Sequence, residues 1–241
     1  MAGHSKWSQI KRKKALLDSK RSQAFTKLLK EISVVAKAGG GDPDGNPRLR
    51  TLLEKARAIN MPVENSQRAI KKGTGELPGV CYERYVYEGY GPHNTAVIIE
   101  TLTDNKNRSI AELRHYFSRN GGILADGGAV MWMFKHLGVI KVEKNKNIHI
   151  TEDNLYDILL DHDLHDIYLD DNIYTILVPI SSLDLSKQAL EKQNIKIESA
   201  ELEYITENNL DLLAEDEEEA FNFFEGLSDL EDVQNIYTNL D

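Results

Sequence analysis

Nine cationic side chains, Lys6, Lys11, Arg12, Lys13, Lys14, Lys20, Arg21, Lys27 and Lys30, fall within 25 residues and are opposed there only by Asp18. Lysine and arginine at this density neutralise phosphates and release counterions, giving salt-dependent binding to a polyanion with little readout of base sequence. Trp7 stands among them, where an indole could stack on a base or ribose or, equally, anchor the arm to the domain behind it. Arg48, Arg50, Lys55 and Arg57 continue the basic character, followed by Arg68, Lys71 and Lys72. A second polar group is Leu102-Thr-Asp-Asn-Lys-Asn-Arg108. It follows an apolar run and opens a helical pattern, so Asn107 is expected to cap the helix. Asp104, Asn105, Lys106 and Arg108 would then surround an anion-favouring helix start. The same residues could equally form a polar turn held by Asx bonds.

Other chemistries find little support. There is no GxSxG, HExxH, dinucleotide fingerprint or two-metal carboxylate set. Gly121-Gly-Ile-Leu-Ala-Asp-Gly-Gly128 is rich in glycine but lacks the Lys-Ser/Thr ending of a P-loop. His162 and His165, with Asp161, Asp163 and Asp166, could bind a divalent metal but read better as a solvated helix end. Cys81 is the only cysteine, which excludes an internal disulfide and a CxxC zinc site. The expectation is therefore no catalytic residue, no metal, no cofactor and no small-molecule substrate.

The elements that must position these residues follow from hydrophobic period. Residues 18–38 read as an amphipathic helix with Phe25, Leu28, Leu29, Ile32, Val35 and Ala36 on one face. Asn46-Pro47 fits an N-cap followed by proline at the first helical position, opening a helix to about Ile59. A third helix runs from Pro62 to Lys72. A helix-turn-helix reading is weak, since no short Gly-centred turn precedes a clear recognition helix. Beyond Gly73 the period changes. Tyr82–Gly89, Thr95–Leu102 and Val130–Phe134 read as strands around a helix at Asn107–Asn120. From Gly138 the order strand, helix, strand, strand, helix, strand to residue 205 is that of a ferredoxin-like module. A tail helix at 215–227 and a strand at 232–238 follow. Because the strands before 135 lack partners, the tail is expected to complete their sheet around an insertion. The fold class is thus α+β multidomain: an N-terminal three-helix domain, then two α+β (ferredoxin-like) domains, the third inserted in the second. The expected boundaries are 1–75, 80–136 with 207–241, and 137–206.

Charge divides along the same line. Residues 1–72 hold 17 Lys and Arg against 6 Asp and Glu, and the remainder 12 against 33, within a net charge of −10. Such polarity suits a basic face for nucleic acid or an anionic membrane on an acidic body; two solvated surfaces of opposite sign are the plain alternative. The acidic stretch Glu215-Asp-Glu-Glu-Glu219 suits a helix start electrostatically, and could also fold back over the basic helices. No apolar run is long enough to span a membrane, and Met1-Ala-Gly-His-Ser-Lys-Trp7 leads into Lys11-Arg-Lys-Lys without an apolar signal region. The cytoplasm is the expected location.

The chain resembles the YebC family through Met1-Ala-Gly-His-Ser-Lys-Trp, Phe25-Thr-Lys-Leu, Gly40-Gly-Asp-Pro, Asn46-Pro-Arg-Leu-Arg, Asn60-Met-Pro and Ala69-Ile-Lys-Lys-Gly. Tyr87-Glu-Gly-Tyr-Gly-Pro, Leu102-Thr-Asp-Asn-Lys-Asn-Arg and Leu230-Glu-Asp-Val-Gln-Asn-Ile-Tyr-Thr-Asn extend the match along the chain. The family is described as probable transcriptional regulatory proteins that bind DNA. Mitochondrial relatives are translational activators of cytochrome c oxidase, and bacterial ones are linked to the ribosome and to relief of stalling at proline-rich stretches. The resemblance implies three domains, the third inserted in the second. A departure is Ala129, within Asp126-Gly-Gly-Ala-Val130, where relatives usually carry serine. The expectation is a non-enzymatic nucleic-acid-binding regulator of gene expression, a probable DNA-binding transcriptional regulator. A translation factor bound to ribosomal RNA or the ribosome is the alternative, and a protein-interaction scaffold a further one. Oligomeric state is left open.

Overall fold

The computed structural model describes residues 21–147, 149–206 and 208–240. They divide into two compact units, one formed by the chain up to Trp132 together with residues from Asn208 onward, the other by Met133–Glu207.

The first unit opens with three helices: α1 (Arg21–Gly39), α2 (Pro47–Ala58) and α3 (Val63–Gly73). Their apolar stripes meet in one core of Ile32, Val35, Leu49, Leu52, Ala56, Met61 and Ala69, closed by Phe25, Leu28, Leu29 and Ile70. Asn46 links two of the helices. Its side-chain oxygen accepts from the Leu49 amide at 3.1 Å, while its amide nitrogen donates to the Val35 and Gly40 carbonyls at 3.2 and 2.9 Å. The N-terminus of α2 is thereby capped and the C-terminus of α1 satisfied by one buried residue. Between α2 and α3, Asn60 takes the left-handed conformation at φ 55°, which asparagine tolerates better than most residues. Gly73 lies where α3 meets α1, and a Cβ there would collide with the Ser33 carbonyl.

A four-stranded antiparallel sheet follows, built from β1 (Glu83–Tyr90), β2 (Ala96–Thr103), β3 (Ile123–Ala125) and β8 (Val233–Thr238) in the order β3-β1-β2-β8. Strand β8 comes from the tail and pairs with β2, with Ile99 opposite Ile236, so the tail supplies the partner that the early strands lacked. Every residue of β2 is buried, which accounts for its continuous apolar run. Helices α4 (Lys106–Arg119) and α7 (Ala214–Ser228) share a core with the sheet, in which Phe117, Phe223 and Phe224 meet Val97, Ile99 and Ile236.

Two local expectations are corrected. The strand expected at Val130–Phe134 is instead a 3₁₀ turn over Met131–Met133, and β4 starts only at Phe134. The reason is that the Val130 and Met131 amides donate to the Glu88 carboxylate, so they cannot serve a strand ladder. The cap of α4 is Asn105 rather than Asn107: the Asn105 side chain accepts from the Arg108 amide at 3.1 Å, and Asn107 lies exposed in the first turn.

The second unit runs β4 (Phe134–Glu143), α5 (Glu152–Leu159), β5 (Asp166–Asp170), β6 (Ile173–Val178), α6 (Leu183–Lys192) and β7 (Ile197–Thr206). Its antiparallel sheet has the order β5-β6-β4-β7, the arrangement of the ferredoxin-like βαββαβ module. Ile140, Val142, Ile176 and Val178 pack against Leu155, Leu159 and Leu190 of the helices. Thr151 and Asn154 form a reciprocal capping box at the start of α5. The unit lies in sequence between β3 and α7, which makes it an insertion in the first sheet domain.

Candidate nucleic-acid interface

Of the basic residues singled out in the sequence, Lys6, Trp7, Lys11, Arg12, Lys13, Lys14 and Lys20 lie outside the described residues, as does the side chain of Arg21. Arg48 and Arg50 are on the exposed side of α2. The Arg48 guanidinium lies 3.3 Å from Glu31, and Arg50 donates to the Pro43 and Asp44 carbonyls at 3.2 and 3.1 Å. Carbonyl bonds orient Arg50 without neutralising its charge. Arg57 on α2 and Arg68, Lys71 and Lys72 on α3 are exposed as well. Residues seven apart in a helix return to nearly the same side, so Arg50 and Arg57 share one face. Arg68, Lys71 and Lys72 have the three-and-four spacing of another.

Lys30 does not belong to this surface, and its reading as a phosphate contact is corrected. Its side chain is 4% exposed, and its ammonium lies 2.8 Å from Asp232, with Glu231 at 3.3 Å. An ammonium held in a buried ion pair cannot turn outward without stranding its partner. Lys27, half-buried, donates to the Ser228 carbonyl at 2.6 Å. Lys27 and Lys30 thus fasten α1 to the tail of the same unit.

The polar loop converges on the same carboxylate. Asp232 accepts from Ser109 at 2.7 Å, Arg108 at 3.0 Å and Thr103 at 3.1 Å, besides Lys30. Burial alone would raise the Asp232 carboxyl, but the bonds from Lys30, Ser109 and Arg108 and the Lys30 charge outweigh it and hold the group at about 2. Asp104 takes the outer side of the Arg108 guanidinium at 2.8 Å, and Lys106 lies over the Tyr85 ring at 5.0 Å. Asp104, Asn105 and Arg108 are therefore engaged in holding a strand-to-helix turn, while Lys106 and Asn107 stay exposed beside it.

Sequence reasoning missed three residues. Asp232 had no signal, since its partners lie elsewhere in the chain. Glu88 is buried and accepts the amides of Gly128, Val130 and Met131 at 2.7, 2.8 and 2.8 Å; burial opposes its ionisation, yet these amides draw its carboxyl below the usual range. Lys37 donates to exposed Cys81 at 2.6 Å, beside a cavity of about 150 Å³ lined also by Ser33, Lys72 and Tyr82. Ala129 acts through its backbone carbonyl, which accepts from Tyr90 at 3.1 Å, so the missing serine hydroxyl leaves that bond in place. Among the described residues, no three His, Cys, Asp or Glu side chains gather to hold a metal ion, and no helix is long and apolar enough to cross a membrane.

A basic three-helix segment, an antiparallel α+β domain closed by the tail, and a ferredoxin-like insertion define a class of multidomain α+β protein. Residues 5–76 match the model of the TACO1/YebC protein N-terminal domain, and residues 82–240 that of the TACO1/YebC second and third domain. The chain belongs to the TACO1/YebC family. A probable transcriptional regulatory protein of Chlorobaculum parvum is 50% identical, covering 100% of this chain and 95% of the relative. One from Chlorobaculum tepidum matches equally, at 50% and the same coverage. The crystal structure of a conserved hypothetical protein from Aquifex aeolicus superposes with a TM-score of 0.83 at 35% identity, covering 95% of this chain and 93% of that one.

Proposed function

We propose that the protein is a non-enzymatic regulator of gene expression that grips nucleic acid through its basic helical domain. The observation that carries this reading is the excess of exposed arginine and lysine on α2 and α3, in a segment where residues 1–72 hold 17 cationic against 6 anionic side chains. Such a surface docks on a phosphate backbone and fixes orientation without reading bases. The relatives are named probable transcriptional regulatory proteins, which supports a role in transcription. Lys6, Trp7, Lys11, Arg12, Lys13, Lys14, Lys20 and Arg21 would extend the same surface, with Arg48 and Arg50 at its helical end, in a cytoplasmic protein.

The second reading is action on ribosomal RNA and translation. It rests on the same exposed cations, because phosphate and shape contacts without base-edge readout serve a structured RNA as well as a duplex. Crosslinking in cells, followed by sequencing of the attached DNA and RNA, separates the two. Promoter-clustered DNA supports the first reading, and ribosomal RNA the second. Recovery of neither, with binding to an acidic protein that survives nuclease, replaces both with the scaffold.

A further inference from the structure

We infer that Trp132 is a stacking platform for an unpaired nucleobase, presented by a loop that the buried Glu88 carboxylate holds in shape. The inference rests on the nucleic-acid reading above and adds a contact in the first sheet domain.

Trp132 is 73% exposed, while among the described residues the next most exposed aromatic side chain, Tyr156, reaches 38%. Its indole N–H donates to the Ala129 carbonyl at 3.0 Å, so the one polar atom of the ring is bonded within the loop. The Tyr90 hydroxyl donates to the same carbonyl at 3.1 Å. Beneath them, Glu88 is 6% exposed and gathers the amides of Gly128, Val130 and Met131, and the Val130 side chain is wholly buried. A turn fixed by a charged acceptor and an apolar anchor has little freedom left to lose when a ligand binds.

The surroundings favour a base over a protein partner. Protein hot spots need a packed rim that excludes water, but Gly127 and Gly128 are exposed and Val130 offers no surface. A Cβ placed on Gly128 would meet nothing within 4 Å. A flat ring can therefore approach over bare backbone and needs no hydrogen bond from the indole. Stacking of this kind tolerates any base, since each has a π-face.

The test uses the full-length protein carrying Trp7→Phe, which leaves Trp132 as the sole tryptophan. A short unstructured RNA of mixed sequence should quench its emission on titration, and the matching duplex should bind with little quenching. Trp132→Ala should weaken single-strand binding about tenfold and leave duplex binding unchanged, while Trp132→Phe should retain most of the affinity. Melting curves of the variants should match the parent, because the side chain is exposed. Binding without quenching, and with equal affinity in Trp132→Ala, overturns the platform but leaves the nucleic-acid reading intact. Failure of the unsubstituted protein, with Trp7 in place, to bind any nucleic acid overturns both.

Discussion

Lys30 and Asp232, 202 positions apart in the chain, meet at 2.8 Å in a buried ion pair. The pair joins α1 to the segment that leads into β8. Its remaining lone pairs are taken by Ser109, Arg108 and Thr103, so the charge is both paired and hydrogen-bonded. That is the condition under which a buried ion pair is tolerated. The residue that the sequence offers as a surface cation is therefore a fastener between the basic helices and the sheet they adjoin in the same unit.

Removing one partner should be costly. Lys30→Met is expected to destabilise the protein by about 3 kcal/mol, because Asp232 would keep its burial but lose its nearest cation. Urea unfolding followed by circular dichroism measures this. Nucleic-acid affinity of the folded variant should be unchanged; a large loss of affinity would return Lys30 to the interface.

Asp232 also predicts a pH dependence. Its carboxyl is held at about 2 in the folded protein against an ordinary 3.8. A depressed folded value means that the stabilisation is complete above the unfolded value and is lost as the pH falls from about 4 towards 2. About 2.5 kcal/mol is involved. Asp232→Asn should accordingly be less stable than the parent at neutral pH, with the gap closing through that acid range. A gap independent of pH would sink the assignment.

Glu88 should behave as the clamp of the 126–132 loop. Glu88→Gln removes the charge and leaves one oxygen for three amides, at an expected cost of about 2 kcal/mol. Hydrogen exchange at Gly128, Val130 and Met131 should accelerate more than at β2, and unaltered exchange there would disprove the clamp.

Gly73→Ala tests the approach of α3 to α1. The added methyl meets the Ser33 backbone carbonyl, which is not free to swing aside. A loss of about 3 kcal/mol is expected, read as a lower melting temperature.

Reversal of charge at Arg48 and Arg50, as Arg48→Glu with Arg50→Glu, should spare the fold, since both side chains are exposed. Duplex affinity should fall and its salt slope shrink by about two, if each guanidinium meets one phosphate. An unchanged slope would remove α2 from the interface.

Much of this architecture was legible in local pattern. The spacing of Ile32, Val35 and Ala36, the Asn46-Pro47 start and the apolar run of β2 depend on neighbours within a turn or a strand. Period and capping are short-range physics. The tail as a missing sheet partner also followed, because unpaired strand edges must be satisfied somewhere.

What composition could not convey was which polar groups turn inward. Lys30 and Lys27 share a helix and a charge with their exposed neighbours, and only the arrival of the tail makes them internal. Met131–Met133 has the residues of a strand, yet Glu88 claims the amides just before and within it. Asn105 and Asn107 are equally able caps, and the strand ending at Thr103 decides between them. Apolar periodicity is written along the backbone, whereas the partner of a buried charge is chosen in space by whichever element supplies the compensating group.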